Sequence, residues 1–193
     1  MIKNIITDMG NVLLRFDPEV SLNEFCSTEE SKNIIRKELF NGPEWIEGDL
    51  GIIKNGDRYE KVRYRVPEKY RSELKECVAH WDICMTPIEG AKEFFANMKA
   101  AGYAIYVLSN ACSKFYEYFP RYYDLAFFDG IVVSSDIHII KPDERIYKYL
   151  LDKYRLTASE CLFIDDVQKN VDGAEAVGIN GFLFRGNFDE IKF

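Results

Sequence analysis

The sequence predicts an α/β protein: an open parallel sheet with helices on both faces (a Rossmann-like core) and a small helical cap inserted after the first strand. Two observations predict it. After Pro87, short apolar runs alternate with helix-forming stretches, the pattern of a parallel sheet covered on both sides. Between the first apolar run and this alternation lies a block, residues 18–85, rich in charged and helix-forming residues and poor in β-branched runs. The chain therefore divides into a core, residues 1–16 and 86–193, and a cap, residues 17–85.

Each element has its own signal. Residues 3–7 form the first strand, ended by Asp8 and broken by the turn pair Gly10-Asn11. In the cap, Thr28–Leu39 and Pro67–Trp81 read as helices, the first capped by Ser27 or Thr28 with Glu29 and Glu30 in its first turn. Glu89–Ala101 is a helix closed by Gly102. Tyr103–Leu108, Ile131–Val133, Cys161–Ile164 and Gly181–Phe184 are the remaining strands. Helices are expected near 113–119, 143–154 and 170–177.

Composition narrows the function. The chain has 193 residues, a net charge of −7 and 47% hydrophobic residues, ordinary for a globular protein. An acidic chain lacks the basic stripe of a nucleic-acid binder. No apolar run reaches the length of a membrane span, and the N-terminus has no secretory pattern. Five scattered cysteines without a C-x-x-C pair argue against a disulfide framework or a zinc site and for a cytoplasmic protein.

In an open parallel sheet, ligands bind beyond the carboxyl ends of the strands. Asp8 ends the first strand, Ser109-Asn110 the second and Asp165-Asp166 the fourth, while Lys141, ahead of Pro142, opens the helix before that fourth strand. Each of these alone is commonly turn or cap chemistry. Four in order, at strand ends, point to one site.

The set resembles the haloacid dehalogenase superfamily. Ile-Ile-Thr-Asp8-Met-Gly10-Asn11-Val12 is similar to its first motif, Leu108-Ser109-Asn110 to the second, Lys141-Pro142 to the third, and Phe163-Ile-Asp165-Asp166 with Asn170 and Gly173-Ala174 to the fourth. The details look closest to small bacterial sugar-phosphate phosphatases and the phosphatase domain of soluble epoxide hydrolase. The resemblance implies a phosphatase acting on a small phosphorylated metabolite through an aspartyl phosphate, with Asp8 as nucleophile. It implies Mg²⁺ held by Asp8, the Gly10 carbonyl and Asp166, with Asp165 and Asn170 in the outer shell. Ser109, Asn110 and Lys141 would meet the phosphoryl group. The chemistry is coherent, because Mg²⁺ takes hard oxygen ligands from one or two carboxylates and a phosphate and a carboxylate can carry a phosphoryl group.

One position departs from the pattern. The family's phosphatases usually carry a second Asp two residues after the nucleophile, as acid and base; here stands Gly10. Asp17 is too distant along the chain to be assigned that role. Three readings follow: a phosphatase that tolerates the loss, a metal-independent 2-haloacid dehalogenase, or a weak phospho-ligand-binding protein. The Asp-x-Gly-Asn-Val form, shared with the sugar-phosphate subgroup, favours the first. Turnover should then follow leaving-group quality, aryl before anomeric before primary alkyl. A left-handed backbone at Gly10 would resist an Asp there.

The other chemical residues have plainer expectations. His80 and His138 lack metal-ligand spacing, Cys112 is a packed residue, and the aromatics from Phe115 to Tyr123 are helix packing. Tyr59, Arg63, Tyr64 and Arg65 read as a solvated face. Trp45 and Glu47 are not expected in the cleft.

Overall fold

The computed structural model describes residues 1–54 and 56–192. Its strands are β1 (Asn4–Thr7), β2 (Leu14–Phe16), β3 (Met85–Pro87), β4 (Ala104–Ser109), β5 (Gly130–Val133), β6 (Cys161–Asp165) and β7 (Asn180–Leu183). Five form an all-parallel sheet in the order β5-β4-β1-β6-β7. β1 lies at its centre, with Ile6 paired to Tyr106 on one side and Phe163 on the other. The loops that follow β1, β4 and β6 therefore open side by side.

Strand alternation builds two cores. Ile5, Ile105, Val107 and Ile164 face one side; Ile6, Tyr106, Leu108 and Phe163 face the other. Both faces must be covered, since each is apolar. Helices α1 (Pro18–Phe25), α2 (Glu29–Ile35), α3 (Pro43–Asp49), α4 (Asp57–Val62) and α5 (Arg71–His80) lie between β2 and β3. They are followed by α6 (Ala91–Ala100), α7 (Phe115–Tyr118), α8 (Ser134–Ile137), α9 (Glu144–Tyr154) and α10 (Gln168–Glu175). Phe95 of α6 and Phe115 of α7 pack into the first core; Ile146 and Tyr147 of α9 and Ala174 of α10 pack into the second.

Caps fix the helix starts. The Asp17 carboxylate accepts from Glu19 N at 3.0 Å and opens α1. Thr28, rather than Ser27, caps α2 in a reciprocal box with Ser31, a device worth about 1 kcal/mol. α2 then runs into a π turn at Arg36–Phe40. Asp143 caps α9, so Lys141 lies in the loop ahead of that helix and does not open it.

β2 and β3 have no counterpart in the expected elements. They pair antiparallel, with Phe16 opposite Met85 and Leu14 opposite Pro87, so the chain leaves and re-enters the core at adjacent points. At three residues each, they are too short to show a period of two.

Candidate active site

The Asp8 backbone N–H donates to the Ile164 carbonyl at 2.8 Å, extending the pairing of the central strands by one residue. This aims the Asp8 side chain past the end of the sheet. Its Oδ1 accepts from Met9 N at 2.7 Å and meets Lys141 Nζ at 2.8 Å. Lys141, fully buried, also reaches Asp165 Oδ2 at 2.7 Å. Asn110 places that lysine: its Oδ1 accepts from Lys141 N at 2.8 Å, and its Nδ2 donates to Lys141 O at 3.0 Å. The amide is thus committed to the Lys141 backbone.

Asp165 is saturated. Besides Lys141, it accepts from Val167 N at 2.8 Å and from Asn170 Nδ2 at 3.0 and 3.1 Å. Asp166 is held more loosely, its Oδ2 accepting from Asn11 Nδ2 at 2.9 Å. Asn11 sits in the left-handed region, φ 53°, which Asn tolerates better than most residues, and this turn sends its amide toward Asp166.

Ligand oxygens of Asp8, Asp165 and Asp166 lie within 4.8 Å of one another. Lys141 pairs with two of the three carboxylates, Asp8 and Asp165, so negative charge is left over. Burial, joined by the charges of Asp165 and Asp166 and opposed by Lys141, pushes Asp8 up to about 7. Asp166 is raised as well, by burial first and then by Asp165. Burial pulls Lys141 down, but the charges of Asp8 and Asp165 more than offset it and the net shift is upward. A divalent cation among these oxygens would reverse the carboxylate shifts. Of the buried polar atoms without a hydrogen-bond partner among the described residues, two belong to this site: Ser109 Oγ and Asn170 Oδ1. An unpaired buried group costs about 1–3 kcal/mol, and a hydroxyl at the end of β4 suits an anion's oxygen. The donor set fits a hard cation and a phosphate.

These groups open into a cleft of about 380 Å³. Asp8, Gly10, Asn110, Lys141, Asp166 and Asn170 line it. Ser109 and Asp165 are buried beside it at the ends of their strands. The opposite wall is aromatic: Phe16 and Trp45 stand 5.2 Å apart, Trp45 and Trp81 5.1 Å, Trp81 and Tyr118 5.4 Å.

Several expectations change. Trp45 does line the cleft, while Glu47 is paired with Lys61 at 2.9 Å. Tyr118 packs as expected and also reaches the cleft. Cys112 is buried, which raises its thiol pKa. His80 pairs with Glu76, and His138 bonds the Leu50 carbonyl at 2.8 Å. Asn11, Phe16 and Asp49 were not legible as cleft residues. Only Asn11 carried a signal, its place in the first motif. Gly10 does not occupy the left-handed region, and a Cβ there would meet only Asp8 Oδ2, at 3.9 Å. The backbone at this half-buried position therefore accepts a side chain, and Gly10→Asp should stay folded with Mg²⁺ present to offset the added carboxylate, its melting temperature within about 4 °C of wild type; a larger drop in thermal unfolding would show that the site resists a side chain.

The sequence profile of haloacid dehalogenase-like hydrolases matches residues 2–178. The chain belongs to that family and is a hydrolase of it. A sesquiterpene phosphatase of Aspergillus oryzae, astK, is 28% identical over 180 residues, 93% of this chain and 88% of that protein. The (S)-2-haloacid dehalogenase 4A of Burkholderia cepacia is 27% identical over 134 residues, covering 68% of this chain and 54% of its own length. In fold, the chain matches the enzyme BT-2542 of Bacteroides thetaiotaomicron, crystallised with magnesium and inorganic phosphate, at a TM-score of 0.76 and 21% identity over 98% of each chain.

Proposed function

We propose that this chain is a Mg²⁺-dependent phosphatase of small phosphorylated metabolites, with a sugar phosphate as the first candidate, working through an aspartyl phosphate on Asp8. One observation carries it: the surplus of carboxylate over lysine at Asp8, Asp165 and Asp166. Halide departs without a cation, so a metal-independent dehalogenase has no use for that surplus. The similarity to a named phosphatase over most of the chain supports the same choice. We take residues 17–85 as the cap that closes over the substrate, and five free cysteines as fitting a cytoplasmic protein.

The residues have distinct tasks. Asp8 Oδ1 is held by Met9 and Lys141, which fixes the carboxylate for in-line attack by its other oxygen. Attack forms the Asp8–phosphorus bond and breaks the bond from phosphorus to the ester oxygen. Water then attacks the phosphorus and regenerates Asp8. Ser109 and the backbone N–H groups near Asn110 donate to phosphoryl oxygens, and Lys141 offsets charge that builds there. Asp8, Asp166 and the Gly10 carbonyl would hold Mg²⁺, which supplies charge neutralisation between carboxylate and phosphate. Asp165 and Asn170 hold Lys141 and the surrounding shell in place.

Chelation should stop phosphate release, and added Mg²⁺ should restore it. Binding is also read without turnover: at about 100-fold over Kd, a ligand stabilises by about 2.7 kcal/mol, or roughly 5–10 °C for a chain of this size. Wild type should show that rise with Mg²⁺, and Asp166→Ala should not. Full activity in excess chelator would overturn the metal assignment.

A further inference from the structure

Asp49 is a third carboxylate lining the cleft, beside Asp8 and Asp166, and comes from the helices inserted between β2 and β3. It ends α3 and lines the same 380 Å³ space as Asp8. The buried Tyr118 hydroxyl feels the charges of both. Arg58 is the charge that bears on the Asp49 carboxylate. Arg58 is itself buried over the Trp45 ring, at 4.3 Å, in space that Gly48 leaves open: a Cβ there would stand 2.0 Å from its Nη2.

The backbone here is anchored to α8. Ser134 Oγ donates to the Asp49 carbonyl at 2.6 Å, and the His138 ring bonds the Leu50 carbonyl at 2.8 Å. Gly51 follows at φ 67°, where a Cβ would come within 2.4 Å of the Ser135 carbonyl. Three consecutive residues are thus held against the core, so Asp49 stands at a fixed place in the cleft. A catalytic group needs such fixed placement.

We propose that Asp49 is the general acid and base of this site, the role Gly10 cannot fill. Its carboxyl gives a proton to the departing ester oxygen as the phosphorus–oxygen bond breaks. The resulting carboxylate takes a proton from the water that attacks the aspartyl phosphate, and the starting state returns. This rests on the phosphatase reading above. Burial raises Asp49 to about 7, against the charge of Arg58, which keeps both protonation states available near neutral pH. The steep leaving-group dependence expected from Gly10 then belongs to the Asp49→Asn variant, not to wild type.

The test compares benzyl phosphate, whose alkoxide needs a proton, with 4-nitrophenyl phosphate, whose phenolate does not. A positioned acid is worth ~10²–10⁴ in rate. Asp49→Asn should lower kcat/KM by that factor for benzyl phosphate and by less than about 10-fold for 4-nitrophenyl phosphate. A burst of nitrophenolate should precede a slower steady state, because water attack has lost its base. Gly10→Asp in the Asp49→Asn background should recover benzyl phosphate hydrolysis. Equal losses on both substrates, or no loss on either, beside an inactive Asp8→Asn control, would overturn the Asp49 assignment and leave the phosphatase reading intact. An Asp8→Asn variant as active as wild type would overturn both.

Discussion

Asp8→Asn should abolish Mg²⁺-dependent phosphate release while the protein stays folded. The amide keeps the shape and can still accept from Met9 N, but it cannot attack phosphorus and is a poor ligand for a cation. Removing a nucleophile outright commonly costs on the order of 10⁵–10⁶ in kcat. The fold should survive because the substitution also removes a buried charge whose pKa burial already pushes to about 7. Phosphate release with saturating Mg²⁺, alongside circular dichroism and a melting curve, checks both halves. Turnover within about 10-fold of wild type would remove Asp8 from the mechanism.

Lys141→Met should damage stability as well as activity. The ammonium is fully buried and is shared by Asp8 at 2.8 Å and Asp165 at 2.7 Å. Deleting one partner of a buried pair typically costs about 3–5 kcal/mol, since the remaining charge keeps its desolvation penalty. The deficit should depend on pH in a definite direction. Without the lysine, the folded-state pKa of Asp8 rises further above its unfolded value. A carboxyl raised in this way binds more protons folded than unfolded, so its stability falls as pH rises from the unfolded pKa through the folded one. Urea unfolding in chelator should show a larger gap from wild type at about pH 8 than at about pH 5. A gap that widens toward acid would contradict the placement of the cation between these carboxylates.

The sheet was legible because each strand is a short apolar run bounded by turn residues, and the order of the polar strand ends gave the shared site. Asp8 and Asp166 came together because β1 and β6 are neighbours, and Lys141 joins them because Asn110, just past β4 on the other side of β1, holds its backbone. The insertion between β2 and β3 was legible only as a helical block. Its contributions, Trp45 and Asp49, carry no motif, and their approach depends on Ser134 and His138 meeting the end of α3, contacts that join residues more than eighty positions apart. Asn110 shows a different limit. A strand-end Asn pointed to the site, but both ends of its amide bind the Lys141 backbone, a pairing that spacing alone cannot reveal. Phe16 was hidden because β2 has only three residues, too few for its alternation to be read.

The covalent step can be observed directly. The protein, with Mg²⁺ and 4-nitrophenyl phosphate, is quenched in acid within the first turnover, digested, and its peptides are mapped for an acid-stable, base-labile phosphate. The label is expected on the peptide that contains Asp8, more abundant in Asp49→Asn than in wild type and absent from Asp8→Asn or in excess chelator. Steady Mg²⁺-dependent phosphate release with that peptide unlabelled, or with the label on another carboxylate, would contradict Asp8 as the nucleophile.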